Sequence, residues 1–358
     1  MPNWKPQQKS TPFKTTVCVL IPARNEEEHI INCLRAILEQ RYPIDLLQII
    51  VIDDFSTDKT ADLVEYLAER VPNLQLLRLA DMVTEEERKS LNSFKKKALE
   101  LAIAQSQQEL MVTTDADCVM NPLWLQTIVG YFEETRPQLI AAPVCYKEEQ
   151  NFAQRFQSLD FMGMMVSTGA SVHLGIADMS NGANMAYTRA AFETVNGFEG
   201  IDHIASGDDM LLMTKIAQKF PNQIRFLKNL DATVYTYPQP DWASFVQQRL
   251  RWASKSAQYK DKRIIFFLVA VYLFNISIFF NLIAGIFWNA DLLQLFLLQF
   301  VLKSIFDFAY LRTACRFFNR NELLSLFLPA QLAHILYIIV IGVWSQFGQF
   351  EWKGRKVK

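Results

Sequence analysis

Several common chemistries lack their residues in this chain. Its 12 glycines in 358 residues form no Gly-x-Gly-x-x-Gly loop and no Walker sequence, and no Gly-x-Ser-x-Gly elbow is present. Dinucleotide loops, P-loop phosphate cradles and hydrolase-type serine nucleophiles are thereby excluded. Five cysteines, Cys18, Cys33, Cys118, Cys145 and Cys315, are scattered, odd in number and without paired zinc spacing. They are expected to be reduced core residues of a cytoplasmic domain. His29, His173, His203 and His334 show no close metal spacing, and no internal repeat is visible. The net charge is −1, and the aromatic residues concentrate in the last third, so no nucleic-acid partner is expected. The opening MPNWKPQQKSTPFK is polar and lacks the apolar run of a leader or span; residues 1–14 are expected to be a flexible segment.

What is present is a succession of strands that end in acid. A β-branched run from Thr16 to Ile21 is followed by a break at Pro22 and a helical pattern at Ile30, Ile31, Leu34, Ile37 and Leu38, with Glu26, Glu27 and Glu28 expected in its first turn. LQIIVIDD ends at Asp53 and Asp54 and leads through Ser56, Thr57 and Asp58, a capping signal, into a second helix. LQLLRL, KKKALELAIAQS and ELMVTTD add a strand, a helix and a fourth strand. Such alternation predicts a mostly parallel sheet covered on both faces, with ligands outside the carboxyl ends of its strands. Arg24, Asp53, Asp54, Asp115 and Asp117 all belong to that edge. In MVTTDADC, alternation along an extended backbone is expected to put Asp115 and Asp117 on one side, where two carboxylates suit a hard divalent cation.

IPARNEE, VIDDFSTD, FKKKALELAI, TTDADC, NGANMAYTRAAFETVNGF, GDDML and QRLRW occur, over about residues 15 to 256, in the order of a family 2 glycosyltransferase, which the chain therefore resembles. The resemblance implies an α/β nucleotide-diphospho-sugar transferase (GT-A) fold and inverting transfer from a nucleotide sugar, with Mg²⁺ or Mn²⁺ holding the diphosphate. It places Pro22, Arg24, Glu26, Asp53 and Asp54 in the nucleoside pocket, with Asp53 accepting from a uracil ring, and Asp115, Ala116 and Asp117 at the diphosphate and metal. Lys95 falls where the family has a basic residue near the nucleotide, although the glycine that often precedes it is Phe94 here, and Lys96 and Lys97 compete for the role. Gly182, Ala183 and Asn184 match the acceptor-side segment.

An acceptor hydroxyl must lose a proton as it attacks, which calls for a carboxylate within hydrogen-bond reach. Asp208 and Asp209 stand where the family has a Glu-Asp pair whose second acid is the base; aspartates just ahead of a helix also serve as caps. On a helix, Gln248, Arg251 and Trp252 share a face at spacings of three and four, so an arginine fork could reach a diphosphate while the indole floors the acceptor. The same composition suits a membrane-surface helix. Two other classes compete: a haloacid-type phosphotransferase, whose Asp-x-Asp follows the first strand, and a non-catalytic membrane scaffold with a degenerate transferase fold.

After Arg263 the chain changes character. Ile264 to Trp288 carries no charge and is long enough to cross the ~30 Å hydrocarbon core. Leu292 to Leu311 holds Lys303 and Asp307, expected to pair or to face the interior, and Leu323 to Trp344 has Pro329 inside it. The expected organisation is a GT-A domain over 15–246, an interfacial helix over 247–263, a membrane domain over 264–346 and a basic tail over 347–358. Lys255, Lys260, Lys262 and Arg263 place the catalytic domain in the cytoplasm, at a multi-pass inner membrane, and the basic WKGRKVK should lie inside too. Three full spans would put it outside, so one segment is expected to be re-entrant or split unless the tail breaks the rule. With few spans, transfer to a lipid or lipid-linked acceptor is expected ahead of a polysaccharide synthase subunit making a glycan.

Overall fold

The computed structural model describes residues 3–5, 12–176, 179–253 and 262–345, together with the backbone of 350–352 and 355–357. Lys255 and Lys260 lie outside these residues, as do the side chains of the tail.

β1 (Val17–Ala23) is buried along almost its whole length and is followed by α1 (Ile30–Leu38). β2 (Leu47–Asp53), α2 (Thr60–Ala68), β3 (Leu74–Arg78), the short α3 (Leu79–Met82) and α4 (Glu85–Ser90), then α5 (Phe94–Gln105) and β4 (Leu110–Thr113) continue the alternation. After β5 (Val119–Met120) come α6 (Trp124–Thr135), β6 (Leu139–Ala141) and β7 (Val144–Tyr146). α7 (Phe152–His173), β8 (Met185–Thr188), α8 (Arg189–Thr194), α9 (Asp208–Lys219), β9 (Ile224–Phe226) and β10 (Val234–Thr236) follow. The remainder is helical: α10 (Trp242–Ala253), α11 (Lys262–Phe287), α12 (Asp291–Phe317) and α13 (Phe327–Trp344), closed by a hairpin of β11 (Phe350–Trp352) and β12 (Arg355–Val357).

Two units result, 1–147 with 167–237 and 148–166 with 238–358. The first holds a seven-stranded sheet in the order β3-β2-β1-β4-β8-β6-β9 and a small sheet β5-β10-β7. β3, β2, β1 and β4 are parallel as expected; β8 runs antiparallel to both β4 and β6. Because β2 and β4 flank β1, the chain order reverses there, which is where open α/β sheets bind ligands.

Pro22 does not break its strand. It continues β1, opposite Ile52, because the ladder to β4 ends where Leu20 O accepts from Thr114 N (3.1 Å) and leaves no partner waiting for the missing N–H on that side. Glu26–Glu28 precede α1 instead of forming its first turn. They serve a loop: Glu26 N donates to Thr60 Oγ1 (2.7 Å), and Glu27 Oε2 accepts from Lys59 N (3.0 Å). Trp4 packs edge-on against Tyr131 (5.4 Å) and its backbone N–H donates to Lys228 O (3.1 Å), so the segment before β1 touches α6 and the β9 edge.

In the second unit α11, α12 and the stretch Asn321–Trp344 are long and apolar enough to cross a membrane. Pro329 falls in the first turn of α13, where a missing N–H is tolerated. Lys303 and Asp307 are paired, and Gln331 donates to Asp307 Oδ2 (2.8 Å). A polar rung of Asn281, Gln299 and Ser277 joins α11 to α12 (2.8 and 3.1 Å).

Candidate active site

The loops after β1 and β2 lock together at the carboxyl edge. Arg24 Nη1 donates to Asp54 O (2.7 Å) and Phe55 O (3.0 Å), Asn25 N to Ser56 Oγ (3.0 Å), and Thr57 N to Asn25 Oδ1 (2.8 Å). Both loops turn through left-handed residues, Asn25 at φ 51° and Phe55 at φ 53°; asparagine tolerates that region, while Phe55 is held there by its neighbours. The ring of Phe94, which stands where a glycine was expected, meets that of Phe55 edge-on at 5.9 Å. Asp53 is 5% exposed: Oδ2 accepts from Ser56 N (3.3 Å), and Oδ1 is buried with no hydrogen-bond partner among the described residues. Such an oxygen is costly unless a donor arrives.

The aspartate pair does not lie on a strand. β4 ends at Thr113, and Asp115 O accepts from Cys118 N (3.1 Å) in a tight turn. The carboxylates therefore take different neighbours, by turn geometry and not by strand alternation. Asp115 Oδ1 accepts from Lys95 Nζ (2.9 Å), whereas Asp117 Oδ2 accepts from the hydroxyl of Thr236 on β10 (3.0 Å). Both remain partly exposed while Ala116 between them is buried. Cys118 beneath them is an inert thiol: burial, then the charges of Asp117 and Asp115, push it well above its ordinary range.

Lys95 joins the turn to the acids of α9, its Nζ also standing 3.4 Å from Asp208 Oδ2. Burial works against its charge, but Asp115, Asp208 and Asp209 outweigh that and raise its pKa, so it stays protonated. Neither aspartate is the cap of α9, since Gly207 at φ 77° holds that position and they occupy the first turn. Asp209 Oδ2 accepts from Gly182 N (3.0 Å) and Oδ1 from Met210 N (2.7 Å). Gly182 has to be small: a Cβ there would stand 3.2 Å from Asp208 Oδ2 and 3.4 Å from Lys95 Nζ. Pro22, Arg24, Glu26, Asp53 and Asp54 thus border the β1–β2 loops, and Lys95, Asp115, Asp208, Asp209 and Gly182 form one cluster. Ala183 and Asn184 are buried, and Asn184 is wholly committed to the frame: its amide donates to Pro143 O (2.6 Å) and Ala232 O (2.7 Å) and its oxygen accepts from Trp124 Nε1 (3.0 Å).

Two side chains have roles that the sequence reading did not give them. Lys96, 1% exposed, donates to three carbonyls of the loop ahead of Asp208: Ile201 O (2.9 Å), Ser206 O (3.0 Å) and Ile204 O. Within the second unit, Gln248, Arg251 and Trp252 lie on α10, half-buried, but the residue between them, Arg249, is the buried one. Its guanidinium pairs with Asp160 of α7 (2.8 Å; 2% and 8% exposed side chains) and lies over the Trp252 ring at 4.1 Å. A spacing rule singles out Gln248, Arg251 and Trp252; only the packing reveals Arg249.

Carboxylates therefore gather at the reversal point of a mostly parallel sheet, and comparison with known proteins gives the family. A model described as glycosyl transferase family 2 matches residues 18–195, and one described as glycosyl transferase family group 2 matches residues 110–344. The chain belongs to glycosyl transferase family 2. It is 27% identical over 299 residues to the probable glycosyltransferase YdaM of Bacillus subtilis, covering 79% of this chain and 67% of that one. It is 26% identical over 196 residues to glycosyltransferase AglE of Haloferax volcanii (54% and 59%) and 26% identical over 189 residues to a beta-monoglucosyldiacylglycerol synthase of Synechocystis (51% and 36%). The chain thus spans about two thirds or less of these relatives' lengths. A mannosyltransferase from Pyrobaculum calidifontis superposes with a TM-score of 0.58 at 22% identity, covering 96% of this chain and 91% of the other, and shares the GT-A fold.

Proposed function

We propose that this chain transfers a sugar, with inversion, from a UDP-sugar to a membrane lipid or lipid-linked acceptor at the cytoplasmic face of the inner membrane. The observation that carries this reading is Lys95, whose ammonium brings the Asp115 turn and the acidic start of α9 into one cluster. Donor and base sides of a transfer reaction are then adjacent. Asp53 Oδ1, buried and without a hydrogen-bond partner among the described residues, suits a ring N–H such as that of uracil.

The partly exposed Asp115 and Asp117 are hard oxygen donors on one turn, the donor chemistry that Mg²⁺ or Mn²⁺ takes. Such an ion supplies neutralisation of the departing diphosphate charge. Asp115 and Asp117 are the residues that would hold it. The Pyrobaculum mannosyltransferase was solved with GDP-mannose and Mn²⁺, a donor and metal of the same classes. Asp209 takes the acceptor proton: Gly182 N and Met210 N hold its two oxygens in place. Asp208 positions Lys95. Gln248, Arg251 and Trp252 are assigned to the acceptor and diphosphate by family resemblance. A lipid acceptor is supported by the name of the Synechocystis relative, a diacylglycerol glycoside synthase.

The test is turnover of UDP- and GDP-sugars by the purified full chain with and without Mn²⁺, in the presence of extracted membrane lipid. Metal-dependent transfer of label into the lipid phase is expected. Release of free sugar only, or product in a water-soluble polymer, would replace the lipid acceptor by another.

A further inference from the structure

α13 is as apolar as a membrane span, yet its contacts are those of a helix lying across the α11–α12 pair. Asn281 bonds Gln299, and Gly285 is so close to Leu293 that a Cβ on it would stand 2.7 Å from that side chain. The two helices are therefore antiparallel, each step forward on α11 matched by a step back on α12, and continuing that register brings Tyr272 level with Asp307 and Phe308. α13 touches both of those places. Near its start, Gln331 bonds Asp307 (2.8 Å) and the Phe327 ring meets that of Phe308 at 5.2 Å. Near its end, Gly342 abuts the Tyr272 ring so closely that a Cβ would stand 2.2 Å away.

Gln331 and Gly342 are separated by about 16 Å along an α-helix. In a helix running parallel to α11 and α12 they would differ in depth by that amount, more than one side chain can span. They meet residues at one depth, so α13 runs across the pair. Its middle is covered by α7 and α10: the Tyr337 ring lies 5.3 Å from Phe245 and 6.1 Å from Phe156, and His334 Nε2 is 4.0 Å from Asp160. The opposite stripe, Leu328, Leu332, Leu336, Val340 and Val343, is exposed and continuous in chemistry with the exposed apolar faces of α11 and α12. Beyond α13, β11 lies beside α10.

We infer that only α11 and α12 cross the bilayer, and that α13 lies in the plane of the leaflet next to α10, its leucine stripe resting on acyl chains and the chain end returning to the side of α10. Charge agrees. By the same register Arg316 is level with Arg263 and Arg312 stands one turn deeper, so the ends of α11 and α12 nearest α13 carry Lys262, Arg263, Arg312 and Arg316, while the connecting turn carries Trp288, Asn289 and Asp291. The basic end faces the cytoplasm, and the basic tail joins it, which removes the conflict that three spans create. An amphipathic helix held this way has its polar side on protein and its apolar side in lipid.

Topology is read independently of transfer activity, so this inference can fail while the proposed reaction stands, and the reverse. Single cysteines placed in the full chain at Gln150, Asn289, Ser325 and Lys356 are exposed to a membrane-impermeant maleimide in sealed vesicles of both orientations; the native cysteines are buried. Gln150→Cys, Ser325→Cys and Lys356→Cys should label from one side and Asn289→Cys from the other. Lys356→Cys labelling with Asn289→Cys would restore α13 as a span, and Ser325→Cys labelling with Asn289→Cys would mean that α12 does not cross. An antibody to the unaltered terminal seven residues gives the same decision without substitution: binding from the side of Asn289 overturns the inference.

Discussion

Buried charge does different work in the two units. In the first, Lys95, Asp115, Asp208 and Asp209 gather at the end of the sheet, where both Asp115 and Lys95 keep some exposure (39% and 25%) and a substrate can reach them. In the second, Arg249–Asp160 fastens α10 to α7, Arg320–Glu149 joins the turn after α12 to the segment before α7, and the Lys303–Asp307 pair of α12 takes a bond from Gln331 of α13. Helices surrounded by lipid gain little from apolar contact with each other, so polar clasps and close small-residue contacts such as Gly285 and Gly342 fix their arrangement. A soluble sheet is fixed by its apolar core and can leave its charges for chemistry. Substitutions in the first unit should therefore change rate with little change in stability, and those in the second the reverse.

The largest effect is expected at the aspartate turn. Asp117→Ala should bring metal-dependent donor turnover to background with the thermal unfolding of the detergent-solubilised protein unchanged; near-normal turnover, or normal wild-type turnover in EDTA, removes metal catalysis. Asp209→Asn is nearly isosteric and should lower kcat by roughly two to four decades, the usual contribution of a general base, while UDP binding measured by calorimetry survives. Equal loss of binding and rate would make Asp209 a structural residue of α9.

Across the divide, Asp160→Asn should cost about 3–5 kcal/mol of stability, because it leaves the buried Arg249 without its counter-charge. The double variant Asp160→Leu/Arg249→Met should recover much of that loss. Failure to recover, with unfolding monitored in detergent, would show that the pair does more than clasp α7 to α10. A smaller change is expected of Gly182→Ala, whose methyl would displace Asp208 or Lys95 by a few tenths of an ångström. Since misplacement by a whole ångström costs about a hundredfold, a rate loss of no more than about tenfold should result, and an unchanged rate would detach Gly182 from the site.

The smallest effect is a pH dependence of the second unit. Burial alone would raise the Glu149 carboxyl, but hydrogen bonds from Arg320 and Ser158 and the charge of Arg320 hold it below its ordinary value. A depressed carboxylate contributes stability that is complete above its unfolded pKa of about 4.3 and is lost as pH falls through the lower folded value. Unfolding followed from pH 6 downwards should show this acid-side loss, and Glu149→Gln should flatten it; an unchanged slope would assign the loss to other carboxylates.

Much of the first unit is set locally and was legible. Apolar runs ending in acid, each followed by a helical period, define β1, β2, β4 and the edge that holds Asp53, Asp115 and Asp117, because side-chain periodicity and the chain direction of a parallel sheet are properties of neighbouring residues. The three apolar helices are likewise a matter of length and composition. Tertiary structure decided whatever depends on partners remote in sequence. It placed Pro22 inside a strand by ending the neighbouring strand early, put the two aspartates in a turn with different partners, buried Lys96 under carbonyls 105 to 110 residues away, and matched Arg249 to Asp160 across 89 residues. It also laid α13 across its neighbours, since hydropathy measures only whether a helix prefers lipid, while its direction within the lipid is set by which side chains it meets.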